Sequence, residues 1–155
     1  MNYMQKCCFI CGQKELPKEE MAKIKISLNY EIRRLIRKGV KYFFCGYETE
    51  FDELVCQTIL DFKEKYTHIK LVLLFTHRQK EYLKSKYSTV TYEKIKSNCD
   101  YCYYTKKDYK QLADICQTII CYNTFYCGTT ASVVNYAKKN GINLINIATI
   151  CLLFG

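Results

Sequence analysis

The chain has 155 residues, 49% of them hydrophobic and 25% charged, with one Pro, six Gly and a formal charge of +9 from 24 Lys+Arg against 15 Asp+Glu. That balance excludes a disordered tail, a fibrous protein and a low-complexity linker. The length predicts a single domain over residues 1–155, whose core needs no metal or disulfide to hold it.

No apolar run reaches the roughly 18 residues of a spanning helix. The opening residues, MNYMQKCC, lack the apolar stretch of a signal peptide. A cytosolic protein without membrane contact is expected. The only arginines are Arg33, Arg34, Arg37 and Arg78, whereas nucleic-acid readers lean on Arg for bidentate contacts. The excess charge is Lys, in a chain rich in Tyr, Ile and Asn and poor in Ala, which is what AT-rich codons produce. The charge reads first as solvated surface and second as attraction for an anionic ligand or nucleic acid.

Cysteines stand at 7, 8, 11, 45, 56, 99, 102, 116, 121, 127 and 151. An odd number, many inside apolar runs, predicts buried thiols rather than a disulfide framework. Two CxxC pairs occur, Cys8/Cys11 and Cys99/Cys102. Four thiolates can hold a tetrahedral zinc, but both pairs fall in strand-like runs without knuckle turns. No metal is expected.

In chain order, Lys6–Ile10 is a short apolar run that stops before Gly12. Lys18–Lys38 carries apolar residues at spacings of three and four, a helix with Gly39 as its C-cap candidate. Lys41–Cys45 is a second strand, and Glu50–Tyr66 a second amphipathic helix. Ile69–Phe75 (IKLVLLF) is near-continuously apolar, as in a strand buried on both faces of a parallel sheet. Arg78–Tyr87 and Thr91–Ser97 read as short helices, Asp100–Tyr104 as a fourth strand and Lys107–Cys116 as a helix. Thr118–Tyr122 is a fifth strand. Thr129–Lys139 is a helix capped by Asn140-Gly141, and Ile142–Ile147 is a sixth strand. The apolar stretch Ala148–Gly155 either extends that strand or covers an edge. Strand and helix in alternation predict one α/β Rossmann-like domain, a mostly parallel sheet of about six strands with helices on both faces.

Gly12, Gly46 and Gly128 sit just past strand ends, on what becomes one rim of a parallel sheet. Each loop runs into a helix, whose first N–H groups favour anions such as phosphate. Either these are turn glycines only, or they let backbone approach a ligand.

The residues around them resemble a known family. Cys7–Pro17, CCFICGQKELP, is similar to the opening CCFTGHRP-x-KLP of the YpsA-like family in the SLOG superfamily. Phe44–Asp52, FCGYETEFD, is similar to its SGGA-x-GFD segment. Ile69–Gln79 is similar to its third strand and Gln-containing loop. Cys121–Ala137, CYNTFYCGTTASVVNYA, is similar to VYDG…GGT-x-YTV-x-YA. The four segments run in register over residues 7 to 147. The resemblance implies a Rossmann-like fold binding a nucleotide or nucleotide-derived small molecule, with no cofactor. Together with the rim glycines, the helix starts behind them and the rim tyrosines, it leads to Gly12, Gln13, Lys14, Gly46, Tyr47, Asp52, Asn123, Gly128, Thr129 and Thr130 as the residues expected at the ligand. The chain departs from the pattern at Gln13-Lys14, Cys45, Glu50 and Cys127, where the family has His-Arg or Gly. Each lost Gly adds a Cβ, and Glu50 adds a negative charge, where phosphate is expected.

The resemblance also raises phosphoribohydrolases of the Lonely Guy type, with their PGG-x-GT-x-x-E motif. That chemistry needs a carboxylate at the ribosyl bond. Here Ser132 stands at the Glu position and the Pro is absent, so no catalytic residue is expected. Asp52 either accepts ribose hydroxyls or serves only as a first-turn acid favoured by the helix dipole. Tyr47, Tyr122 and Tyr126 offer rings for a base, or are scattered among the 15 Tyr by chance. His68 and His77 show no partner pattern. Two further readings stay open: a basic accessory protein on single-stranded nucleic acid, and an interaction protein with a decayed pocket.

Overall fold

The computed structural model describes residues 6–75, 89–104 and 109–153. The expected helix over Arg78–Tyr87 and His77 lie outside the described residues. The strands are β1 (Cys7–Gly12), β2 (Tyr42–Cys45), β3 (Lys70–Phe75), β4 (Tyr101–Tyr104), β5 (Thr118–Tyr122) and β6 (Asn143–Asn146). The helices are α1 (Met21–Arg37), α2 (Glu50–Lys65), α3 (Thr89–Asn98), α4 (Tyr109–Cys116), α5 (Thr129–Lys139) and α6 (Ile147–Leu153), with a 3-10 turn at Lys18–Glu20 before α1.

The strands form one sheet in the order β4-β3-β2-β1-β5-β6, every described pairing parallel. The chain builds outward from β1 to β4, then crosses back to β5 beside β1. The order therefore reverses between β1 and β5, where a doubly wound sheet opens a crevice. Alternation along the strands divides the core. Cys8, Ile10, Phe43, Leu71 and Leu73 face α1, α2, α3 and α6, while Phe9, Val72, Ile119 and Cys121 face α4 and α5. Both faces of the sheet are covered, which is why its strands read as apolar runs.

Helix ends follow from local chemistry. α1 closes with Gly39 N–H donating to Ile36 O and Val40 N–H to Leu35 O, the paired bonds of a Schellman turn. α2 opens at Thr49, whose hydroxyl accepts the Asp52 N–H at 3.0 Å. The final apolar stretch neither extends β6 nor covers a sheet edge. It forms α6, because Asn146 ends the strand and caps the helix. The Asn146 Oδ1 accepts the N–H groups of Ala148 (3.1 Å) and Asn123 (3.2 Å), and its Nδ2 donates to Asn123 O. α6 packs on α1 and β5. Among the described residues, no helix is long and apolar enough to cross a membrane.

One close approach fixes where α2 sits. A Cβ on Gly12 would lie 2.5 Å from the Phe51 ring and 2.7 Å from Phe51 Cβ. Gly12 is therefore glycine because α2 presses its first turn onto the end of β1, as well as lining the rim. Gly12→Ala is expected to cost about 1–3 kcal/mol by overpacking. Urea denaturation checks this, and Phe51→Leu in the same chain should recover part of the loss. A fully stable Gly12→Ala variant would contradict the packing described.

Candidate functional site

The loops after β1, β2 and β5 enclose one cavity of about 370 Å³. Gly12, Gly46 and Gly128 all line it, with Gln13, Lys14, Asp52, Asn123, Thr129 and Thr130. Of the ten residues expected at a ligand, nine converge here and Tyr47 does not. Tyr47 is 1% exposed and turned into the core, its ring 5.6 Å from Tyr92. Its neighbours in the sequence alternate between the loop and the core beneath it, and the ring took the core side.

Nor do the other two tyrosines form a stacking rim. Tyr122 is buried beside Phe51, ring centroids 6.2 Å apart, and Tyr126 is 99% exposed outside the cavity. The aromatic wall comes instead from Phe9, Tyr109 and Phe125. Phe9 and Tyr109 stack at 5.7 Å with 26° between their planes. Phe125 is exposed at the mouth.

Asp52 sits on the cavity floor and is 4% exposed. Its Oδ2 accepts the Glu48 N–H at 3.0 Å, and its own N–H is held by Thr49. Asp52 thus organises the first turn of α2, as a first-turn acid, and also lines the cavity. Gly46 leaves room for it, since a Cβ there would stand 3.4 Å from Asp52 Oδ2. Burial pushes the Asp52 carboxyl up to about 7, with the nearby Glu48 carboxylate adding to the rise and the Glu48 and Thr49 hydrogen bonds opposing it.

No spacing or motif marks the partners around it. Glu48 accepts the Tyr109 hydroxyl at 2.7 Å across 61 residues. Burial and that carboxylate raise the Tyr109 hydroxyl far above the ordinary tyrosine range. Tyr109, Glu48 and Asp52 form a chain along one wall, α4 to the β2 loop to α2. Gln13 ties two loops: its Oε1 accepts Thr124 N–H at 2.9 Å and Thr124 Oγ1–H at 3.0 Å. It is a brace of the cavity as much as a ligand-facing group.

Glu50 adds no charge to the cavity. Its carboxylate turns away to accept the Leu16 N–H at 2.9 Å, and its N–H donates to Lys14 O. Lys14 is the one basic residue lining the cavity among the described residues. Opposite it, Gly128 heads α5 with φ 107 and ψ 177, and no side chain caps that helix. A Cβ on Gly128 would meet nothing within 4 Å, so the position demands glycine for its backbone, not for space. Ser132, one turn on, is exposed and lies outside the cavity. Cys8 and Cys11 point to opposite faces of β1, so they cannot share one metal ion.

The raised carboxyl has a consequence for stability. Asp52 is protonated in the fold at a pH where the unfolded chain has lost the proton. Stability therefore falls as pH rises from about 4 to about 7, and the whole penalty is present above 7. Asp52→Asn keeps an acceptor for Glu48 N–H and removes the charge. It should equal wild type near pH 4 and exceed it at pH 8, by up to about 4 kcal/mol at about 1.4 kcal/mol per pKa unit. Chemical denaturation at the two pH values checks this; an unchanged difference between them would contradict the burial described.

No curated protein matches the chain. Among solved structures, it is similar to the X-ray structure of TM1055, a structural genomics target, at 16% identity and a TM-score of 0.49. That alignment covers 90% of this chain and 72% of the other. A family model described as the YspA SLOG family, YpsA, matches residues 13–140. The match takes in the loops after β1, β2 and β5 that build the cavity, and the chain belongs to that family.

Proposed function

We propose that the chain binds a nucleotide-derived small molecule in the cavity at the β1–β5 switch point. The observation that carries this reading is the meeting of an uncapped helix start at Gly128–Thr130, the Lys14 side chain and the buried Asp52 carboxyl in one concave site. A phosphate suits the α5 N–H groups and Lys14. A sugar hydroxyl suits Asp52 and Asn123, and a base suits the Phe125 face. The volume lies within the range of small-molecule sites. Membership of a SLOG family supports a nucleotide-related ligand. The binding serves sensing or sequestration; the helix residue that a phosphoribohydrolase would use is the exposed Ser132.

Two carboxylate residues, Glu48 and Asp52, line the cavity against one lysine. That lining disfavours a polyanionic strand, so nucleic acid is the weaker occupant. Native mass spectrometry of freshly purified protein should show a co-purifying nucleotide. Calorimetric titration with nucleoside mono- and diphosphates should then give saturable binding. Gly128→Ala should weaken it about tenfold or more, as 1–3 kcal/mol of backbone strain would, with an unchanged circular dichroism spectrum. Absence of binding at millimolar nucleotide would overturn the reading. A steep salt slope on single-stranded DNA that Gly128→Ala leaves untouched would favour the nucleic-acid alternative.

A further inference from the structure

All eleven cysteines are thiols in this structure. They do not form one cluster, and one pair differs from the rest. Cys7 opens β1 and is half-buried; Cys116 ends α4 and is buried. The register Phe9↔Ile119 sets Cys7 level with the α4–β5 junction. Gln117 turns that junction sharply, with φ 60, at the end of a helix that packs on β1. Cys7 and Cys116 lie in the same apolar layer between α4 and the sheet, within interaction range of each other.

We propose that Cys7 and Cys116 are a redox modification site, closing to a reversible disulfide on exposure to hydrogen peroxide. The geometry supplies the two roles such a site needs, a partly accessible attacking sulfur and a buried resolving sulfur in the same layer, one position from its register partner. The hydrogen bond from Cys116 outweighs partial burial and lowers Cys7 to about 7, while the same contact and burial raise Cys116 well above the ordinary thiol range.

The chemistry balances with one peroxide. The Cys7 thiolate attacks one peroxide oxygen, the O–O bond breaks, and hydroxide leaves with the proton that Cys7 had released, as water. Sulfur is oxidised to the sulfenic acid and the peroxide is reduced. The Cys116 sulfur then attacks Cys7 sulfur. An S–S bond forms, the S–O bond breaks, and the hydroxyl leaves with the Cys116 proton as a second water. Two thiols and one hydrogen peroxide give one disulfide and two waters.

The other thiols are less suited. Cys45 and Cys56 also touch, but both are fully buried. Cys99 and Cys102 are half-buried, and burial pushes both up, Cys99 to about 11. Cys127 is exposed on the cavity loop. The Cys7–Cys116 link would fasten the end of α4 to β1. The start of the same helix already reaches the cavity through Tyr109 and Glu48.

The test uses the full reduced chain, a stoichiometric pulse of hydrogen peroxide, and alkylation followed by fragmentation mass spectrometry. The expected result is loss of two alkylatable thiols, a mass lower by two hydrogens, a fragment linking Cys7 to Cys116, and full recovery with dithiothreitol. Cys7→Ser and Cys116→Ala should each abolish the link. A second measurement holds if a variant folds poorly: in the wild type, iodoacetamide should alkylate Cys7 with a midpoint near pH 7 and far faster than Cys8. Cys116→Ala should move that midpoint upward. A link confined to Cys99–Cys102, a sulfenic or sulfinic Cys7 that never links, or a Cys7 alkylated as slowly as Cys8 would each overturn the proposal.

Discussion

The contact between Gly12 and Phe51 governs the site. Helices in a doubly wound sheet usually stand off the strand ends by a side chain's width. Here the missing Cβ at Gly12 lets the first turn of α2 come down onto β1, with the Phe51 ring where a methyl group would be. That approach brings the two loops into hydrogen-bonding range. Glu50 then spans them, its N–H to Lys14 O and its carboxylate to Leu16 N–H. The same turn carries Asp52, so its carboxyl arrives at the cavity floor already desolvated. A larger residue at position 12 would lift α2 and disturb the Lys14 loop, the Glu48 turn and Asp52 together.

Desolvation and charge then act in the same direction. Asp52 accepts one firm backbone hydrogen bond from Glu48 N–H, which favours its ionised form, yet burial outweighs it. Glu48 spends its own carboxylate on the Tyr109 hydroxyl, so α4 is drawn to the same wall. The result is a floor whose Asp52 carboxyl holds its proton more tightly than an exposed one, facing one lysine and an uncapped helix start. A site of that kind distinguishes the two ends of a ligand: an anionic group at α5, and hydroxyl or base groups near the floor.

The periodicity of the sequence carried most of the fold. Strand runs such as Lys70–Phe75 and helices such as Thr129–Lys139 are local patterns, and the structure keeps them within a few residues. The convergence of Gly12, Gly46 and Gly128 was legible too, because it needs only a parallel sheet and loops past strand ends. Contacts set by distance in space were not. Gln13 meets Thr124 across 111 residues and Glu48 meets Tyr109 across 61, and neither pair has a spacing to read. The end of β6 was missed for a different reason. An apolar stretch after a strand looks like more strand, and only the Asn146 side chain, bonded to both Asn123 and Ala148, turns the chain into α6. Tyr47 failed as a rim residue because a ring next to a loop glycine can fall to either side, and the gap beside Tyr92 and Phe75 was the apolar one.

The positions where this chain departs from the family pattern can now be weighed by what their side chains do. Cys45 carries its thiol into the core, donating to the Asp52 backbone carbonyl at 3.6 Å, and adds nothing to the cavity surface. Glu50 braces the first loop. Cys127 is exposed at the edge, beside a Gly128 that keeps its unusual backbone. Cys45 and Glu50 therefore leave the cavity unfilled, while Cys127 is part of its lining. Of the three rim glycines, Gly12 under Phe51 and Gly128 at positive φ are the ones whose replacement would be felt, while a Cβ on Gly46 would make an ordinary contact with Asp52. Together the three keep one cavity open where the loops after β1, β2 and β5 meet.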